Sequence, residues 1–103
     1  MGLFSKKKKD TMTLSQLKEF DKKAISYVVQ RLGGEEKLLG RQGAISVTDD
    51  NIVIVCNGKE ALRLVTGGAV IAALLSGNGA VIKGFDEKGT PVHAIAYYSN
   101  LRQ

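Results

Sequence analysis

Between Gly43 and Val65 the chain reads GAISVTDDNIVIVCNGKEALRLV, three short apolar runs cut apart by Asp49-Asp50-Asn51 and by Asn57-Gly58. Asn-Gly between β-rich runs is the strongest short-range hairpin signal, because a two-residue primed turn needs positive φ at both central positions. The stretch therefore predicts an antiparallel meander. In its first run Ile45 and Val47 share one face, since successive side chains alternate across a strand. The second run, Ile52 to Cys56, is apolar on both faces, the pattern of a covered central strand. The third, Glu60 to Val65, sets Leu62 and Leu64 opposite Arg63. Its Glu, Ala, Leu and Arg also suit a helix, but its place after Asn-Gly favours a strand.

Upstream, Leu14, Leu17, Phe20, Ala24, Val28 and Leu32 recur at steps of three or four, which predicts one amphipathic helix over residues 14–32. Thr13 and Gln16 have the spacing of a capping box, and Gly33-Gly34 supplies a stop. Ile25 and Val29 widen the apolar stripe, as expected of a helix lying on a sheet. Downstream, Leu64 to Ile82 is free of charge. About twenty apolar residues can span a bilayer, yet four glycines together with Thr66, Ser76 and Asn78 divide this stretch into short pieces. A short buried helix over 69–76 is the expectation, with a buried strand as its rival. Ala80 to Phe85 and Val92 to Ser99, joined by a polar loop containing Gly89 and Pro91, predict a second hairpin. His93, Ile95 and Tyr97 fall on one face of its last strand, and Val92, Ala94, Ala96 and Tyr98 on the other. The expected fold class is thus α+β: an N-terminal helix on an antiparallel sheet of about five strands, a meander plus a C-terminal hairpin, with the sheet curled towards a partial barrel.

The net charge of +5 belongs to one part of the chain. Residues 1–41 hold ten Lys or Arg against five Asp or Glu, and residues 42–103 hold five of each. The run Lys6-Lys7-Lys8-Lys9 accounts for most of the excess, so residues 1–12 read as a flexible basic leader and 13–103 as one α+β domain. These four lysines are the candidate polyanion-binding residues, able to meet phosphates of lipid headgroups or nucleic acid. The leader lacks the apolar core of a secretory signal. Met1-Gly2 would suit myristoylation, but Lys6 stands where that motif needs Ser or Thr.

Little in the sequence points to catalysis or to a metal. Gly77-Asn78-Gly79 lacks the third glycine of a dinucleotide fingerprint, and Gly58-Lys59 lacks both the earlier glycine and the following Ser or Thr of a phosphate loop. One Cys and one His cannot build a zinc site, so neither a metal nor a cofactor is expected. Asp49, Asp50, Asp86 and Glu87 stand at turns, where acidic side chains commonly serve the turn itself. Cys56 and His93 form the only pairing with nucleophilic potential; otherwise Cys56 is a small buried hydrophobe, its solitary presence suiting a reducing, cytoplasmic compartment. Phe4, Phe85, Tyr97 and Tyr98 are candidates for a base-stacking platform.

Residues Leu39 to Leu64 resemble the opening strands of bacterial pleckstrin-homology-like and GRAM-type domains, in which an apolar strand ending in Val-Thr-Asp precedes a turn and a second apolar strand. The resemblance covers about a quarter of the chain and rests on hairpin residues. It implies a lipid- or protein-binding module and assigns no residue a role. Those domains end with a long helix, whereas here the expected helix comes first. The functional expectation is a small non-catalytic interaction module, with a protein partner or a second copy of itself and no identifiable small-molecule substrate. Binding of anionic lipid headgroups or nucleic acid through the leader is the alternative.

Overall fold

The structure is a computed structural model and describes residues 12–99. It holds one short helix, α1 (Leu14–Lys18), and seven strands: β1 (Ala24–Leu32), β2 (Glu35–Val47), β3 (Asn51–Cys56), β4 (Lys59–Val65), β5 (Val70–Ala73), β6 (Gly79–Phe85) and β7 (Pro91–Tyr98). They form a single antiparallel sheet in the order β4-β3-β2-β1-β7-β6-β5. Two local meanders, β1 to β4 and β5 to β7, meet where the first strand pairs with the last.

The expected meander is present. Ile45 faces Ile54 and Val47 faces Ile52, and Asn57-Gly58 makes the two-residue turn between β3 and β4 with φ of 52° and 79°. The C-terminal hairpin is present too. Its turn is held by Asp86, whose Oδ1 accepts from the amides of Lys88 and Thr90, both at 2.9 Å.

The α+β class is overturned, because seven strands and a five-residue helix replace five strands and a long helix. The helix expected over 14–32 ends at Lys18. Its capping box does form, with the Gln16 amide donating to Thr13 Oγ1 and the Thr13 amide to Gln16 Oε1. Lys22 then turns the chain with φ of 69°, a conformation no helix continues through. Here the backbone bonds to β2 instead: the Lys22 amide donates to the Ile45 carbonyl, the Ile45 amide to that of Lys23, and Asp21 Oδ1 accepts from the Val47 amide. Residues 24–32, rich in β-branched and aromatic side chains, extend between β2 and β7. Gly33-Gly34, expected to stop a helix, instead forms a hairpin turn with φ of 58° and 89°, setting Leu32 opposite Glu35.

A bulge explains the misleading periodicity. Ser26 is an extra residue between the pairs Ile25–Tyr98 and Tyr27–Tyr97, and Leu39 is extra between Val28–Gly40 and Val29–Leu38. The bulge at Ser26 sets the inward residues of β1, Ile25 and Val28, three apart, which imitates a helical step; the extra residue at Leu39 belongs to β2 and leaves the alternation of β1 unchanged. The helix expected over 69–76 is also corrected. Val70 to Ala73 form the edge strand β5, and residues 74–78 turn back to β6.

Strands β4 and β5 lie at opposite edges of the sheet but are joined by residues 66–69 alone. Five backbone steps reach at most about 18 Å, whereas the edges of a flat seven-stranded sheet are about 29 Å apart. The sheet must curl. Accordingly Leu64 of β4 lies against Gly84 of β6: a methyl group placed on Gly84 would sit 3.6 Å from Leu64 Cδ1. The core fills the inside of this curl, with Ile25, Val28, Ile45, Ile54, Leu64 and Ile82 buried within it. Gly40 packs so closely over Cys56 that an added Cβ would lie 2.7 Å from the cysteine Cβ. Helix α1 sits at one end, Leu17 in the core, Lys18 paired with Asp49 at 2.7 Å, and Met12 Sδ accepting from the Ile71 amide of β5.

Candidate binding site on the outer face

The bulge at Ser26 that turns both Ile25 and Val28 inward leaves Tyr27, Val29 and Arg31 on the outer face of β1. Register carries this outward set across the neighbouring strands. Leu38, Val29, Ile95, Val81 and Ala72 stand side by side on β2, β1, β7, β6 and β5, an apolar row on the side of the sheet away from the core. Val29 and Ile95 are 7% and 6% exposed although neither belongs to the core cluster; Leu38, at the end of the row, is 47% exposed.

Cationic side chains flank this row on both sides. On one side Tyr27 pairs with both Arg41 and Tyr97. The two tyrosine rings stack, with centroids 4.6 Å apart. A cross-strand aromatic contact of this kind contributes about 0.5–1.5 kcal/mol beyond its buried area. On the other side His93 faces Lys83 across the β6–β7 pair, and Arg31 falls next to it on β1, one residue past the Gln30–Ala94 pair. The proximity shows electrostatically. The His93 pKa is lowered, first by burial and then by the charges of Lys83 and Arg31.

This second row borders an open groove of about 490 Å³, lined by Arg31, Lys83, His93, Phe85, Pro91 and Gly68 among others. Phe85 stands over Gly68, where a Cβ would meet its ring at 3.7 Å. Nearby acids are directed elsewhere. Asp86 accepts from the amides of its own turn, and Glu87 adds to the field at Arg63. Glu36 is the register partner of Arg31, yet the salt bridges among the described residues are Lys18–Asp49 and Arg63–Glu60.

The residues singled out from sequence are distributed differently. Lys6, Lys7, Lys8 and Lys9 lie outside the described residues, as does Phe4. Cys56 and His93 are not brought together. Cys56 points into the core from β3, with burial pushing its thiol pKa up, while His93 points outward from β7, beyond β2 and β1. Of the turn acids, Asp49 is paired with Lys18, and among the described residues no group of three or more potential metal ligands forms. Tyr97 lies on the outer face but Tyr98 packs against the core. Among the described residues no helix is long and apolar enough to cross a membrane.

Sequence reasoning missed Tyr27, Val29 and Arg31, because it placed them on a helix, and Lys83, because a lone lysine in a strand carries no signal. The usable clue was the His93, Ile95, Tyr97 face: apolar residues on the second face of a strand whose first face, Ala94 and Ala96, already fills the core. Neither a family model, a curated protein nor a solved structure matches this chain.

Proposed function

We propose that this protein is a non-catalytic interaction module that docks a protein partner on the outer face of β2, β1, β7 and β6. The observation that carries the reading is the apolar row Leu38–Val29–Ile95–Val81 lying between Arg41 on one side and Arg31, His93 and Lys83 on the other. A sheet needs only one apolar face to fold; on the second, Leu38 and the neighbouring Tyr27 stay exposed beside the buried Val29 and Ile95, and offer a partner its apolar contacts. Its cationic borders disfavour a second copy of the same face, since like charges would oppose one another, and favour an acidic partner with apolar side chains.

The test is selection of binders from a peptide library followed by amide chemical-shift mapping. Acidic sequences with interspersed apolar residues are expected to emerge and to shift Tyr27, Leu38, Ile95 and Tyr97. Leu38→Ala should weaken them at least tenfold without unfolding the domain, and added salt should slow their association. Binders that map to other strands would overturn the reading.

A second reading has its own observation. The stacked Tyr27 and Tyr97 beside Arg41 form an aromatic surface next to positive charge, the combination that holds single-stranded nucleic acid. With Lys6 to Lys9 as a further basic segment, binding of a single-stranded oligonucleotide should fall steeply with salt, and fall again on removal of residues 1–10. Retained oligonucleotide binding in Tyr27→Ala would exclude the outer face as its site.

A further inference from the structure

We propose that the groove beside Arg31, His93 and Lys83 is a binding site for a phosphate monoester carried on a flat ring. The inference goes beyond the docking reading, with which it shares Arg31, His93 and Lys83, and it rests on the groove beside them.

Three neighbouring strands present one cationic or protonatable group each at the same level of the outer face. Arg31 comes from β1, His93 from β7 and Lys83 from β6. Arg offers a planar fork suited to two phosphate oxygens, Lys a compact ammonium, and His a ring nitrogen that becomes a second strong donor on protonation. Strands hold these groups in fixed register, so the donor spacing exists before any ligand arrives. Of the flanking acids, Asp86 accepts from the amides of its own turn, where Lys88 adds a positive charge, and Glu36, next to Arg31 on β2, forms no salt bridge with it.

The rest of the groove is chemically different. Phe85, 44% exposed, and Pro91 face each other across the β6–β7 pair and form an apolar wall. Gly68 leaves the space beside the Phe85 ring clear of side chain. At about 490 Å³ the groove falls within the range of sites that hold small ligands. A phosphate on the cationic side and a ring on the Phe85 side satisfy both halves together, which a bare anion or an apolar molecule does not. Nucleotides and phosphotyrosine share this chemistry.

His93 is the only histidine, so its ring proton resonances report on the site without ambiguity. The experiment titrates the full-length protein with inorganic phosphate, phenyl phosphate, AMP and O-phosphotyrosine, following the His93 ring through pH. Bound phosphate dianion should raise the His93 pKa. Phenyl phosphate should bind more tightly than inorganic phosphate. AMP exceeding O-phosphotyrosine would identify nucleotides as the source, and the reverse order a phosphorylated protein. Arg31→Gln and Lys83→Gln, both at exposed positions, should each weaken binding about tenfold or more, and Phe85→Ala should remove the advantage of phenyl phosphate. An unmoved His93 pKa, equal affinity for inorganic and phenyl phosphate, or undiminished binding in the Arg31 and Lys83 variants would overturn the proposal.

Discussion

The two faces of the central strands differ in what their apolar residues accomplish. On the inner face, Ile54, Val28 and Ala96 have no measurable exposure and pack against elements from both meanders. On the outer face, Val29 and Ile95 reach nearly the same burial without belonging to the core cluster, beside the more exposed Leu38 and Tyr27. The inner face is closed by the chain itself; the outer face is closed only in part, at residues still open to a partner. Burial alone therefore does not separate the inner-face residues from the outer-face ones, whereas membership of the shared core does.

Substitutions can break that contrast, and the largest effect belongs inside. Ile54→Ala should cost about 2–5 kcal/mol, read as a lower urea midpoint with an unchanged slope. Gly40→Val comes next. Its side chain must enter space held by the Cys56 Cβ and Sγ, a loss of about 1–3 kcal/mol from overpacking. Outside, Leu38→Ala should change stability by less than about 1 kcal/mol while weakening the docked partner tenfold; equal losses of stability at Leu38 and Ile54 would erase the distinction between the faces. Cys56, core-facing and with its thiol pKa raised by burial, should be alkylated more slowly in the folded protein than in denaturant.

The smallest expected effect is at the end closed by α1. Asp49 lies below the ordinary carboxylate value of 3.8, first through its hydrogen bond to Lys18 and then through the lysine charge. A depressed folded-state pKa contributes stability that is present above the unfolded value and is lost as the pH falls through the folded one. Asp49→Asn should therefore flatten the acid limb of the stability profile slightly and leave neutral pH almost unaffected, because the pair is exposed.

How far these faces could be read from sequence depended on local rules. Strand β3 and the Asn57-Gly58 turn were legible because one dipeptide and an unbroken apolar run both specify the same hairpin. The stretch 24–32 was not, because Ser26 is a bulge position visible only once β1 has its partners, and because Gly33-Gly34 serves a helix end and a hairpin turn equally well. Strand β5 drew the wrong expectation of a short helix, because four residues of Val, Ile and Ala are too few to display either period. The outer site lay further still from view. Arg31, Lys83 and His93 are 52 and 10 residues apart in order along the chain, with no spacing to announce them; only strand order brings them into a row.

The short tie between Val65 and Val70 has a consequence for assembly of the chain. Every strand pairing but one joins sequence neighbours, and the exception unites β1 with β7. Most of the loop-closure entropy is thus concentrated in that one long-range pairing. Opening the backbone at Gly67-Gly68 would divide the molecule along that boundary, so two separately made fragments should reconstitute the native sheet on mixing, their recognition encoded in the seam where first strand meets last.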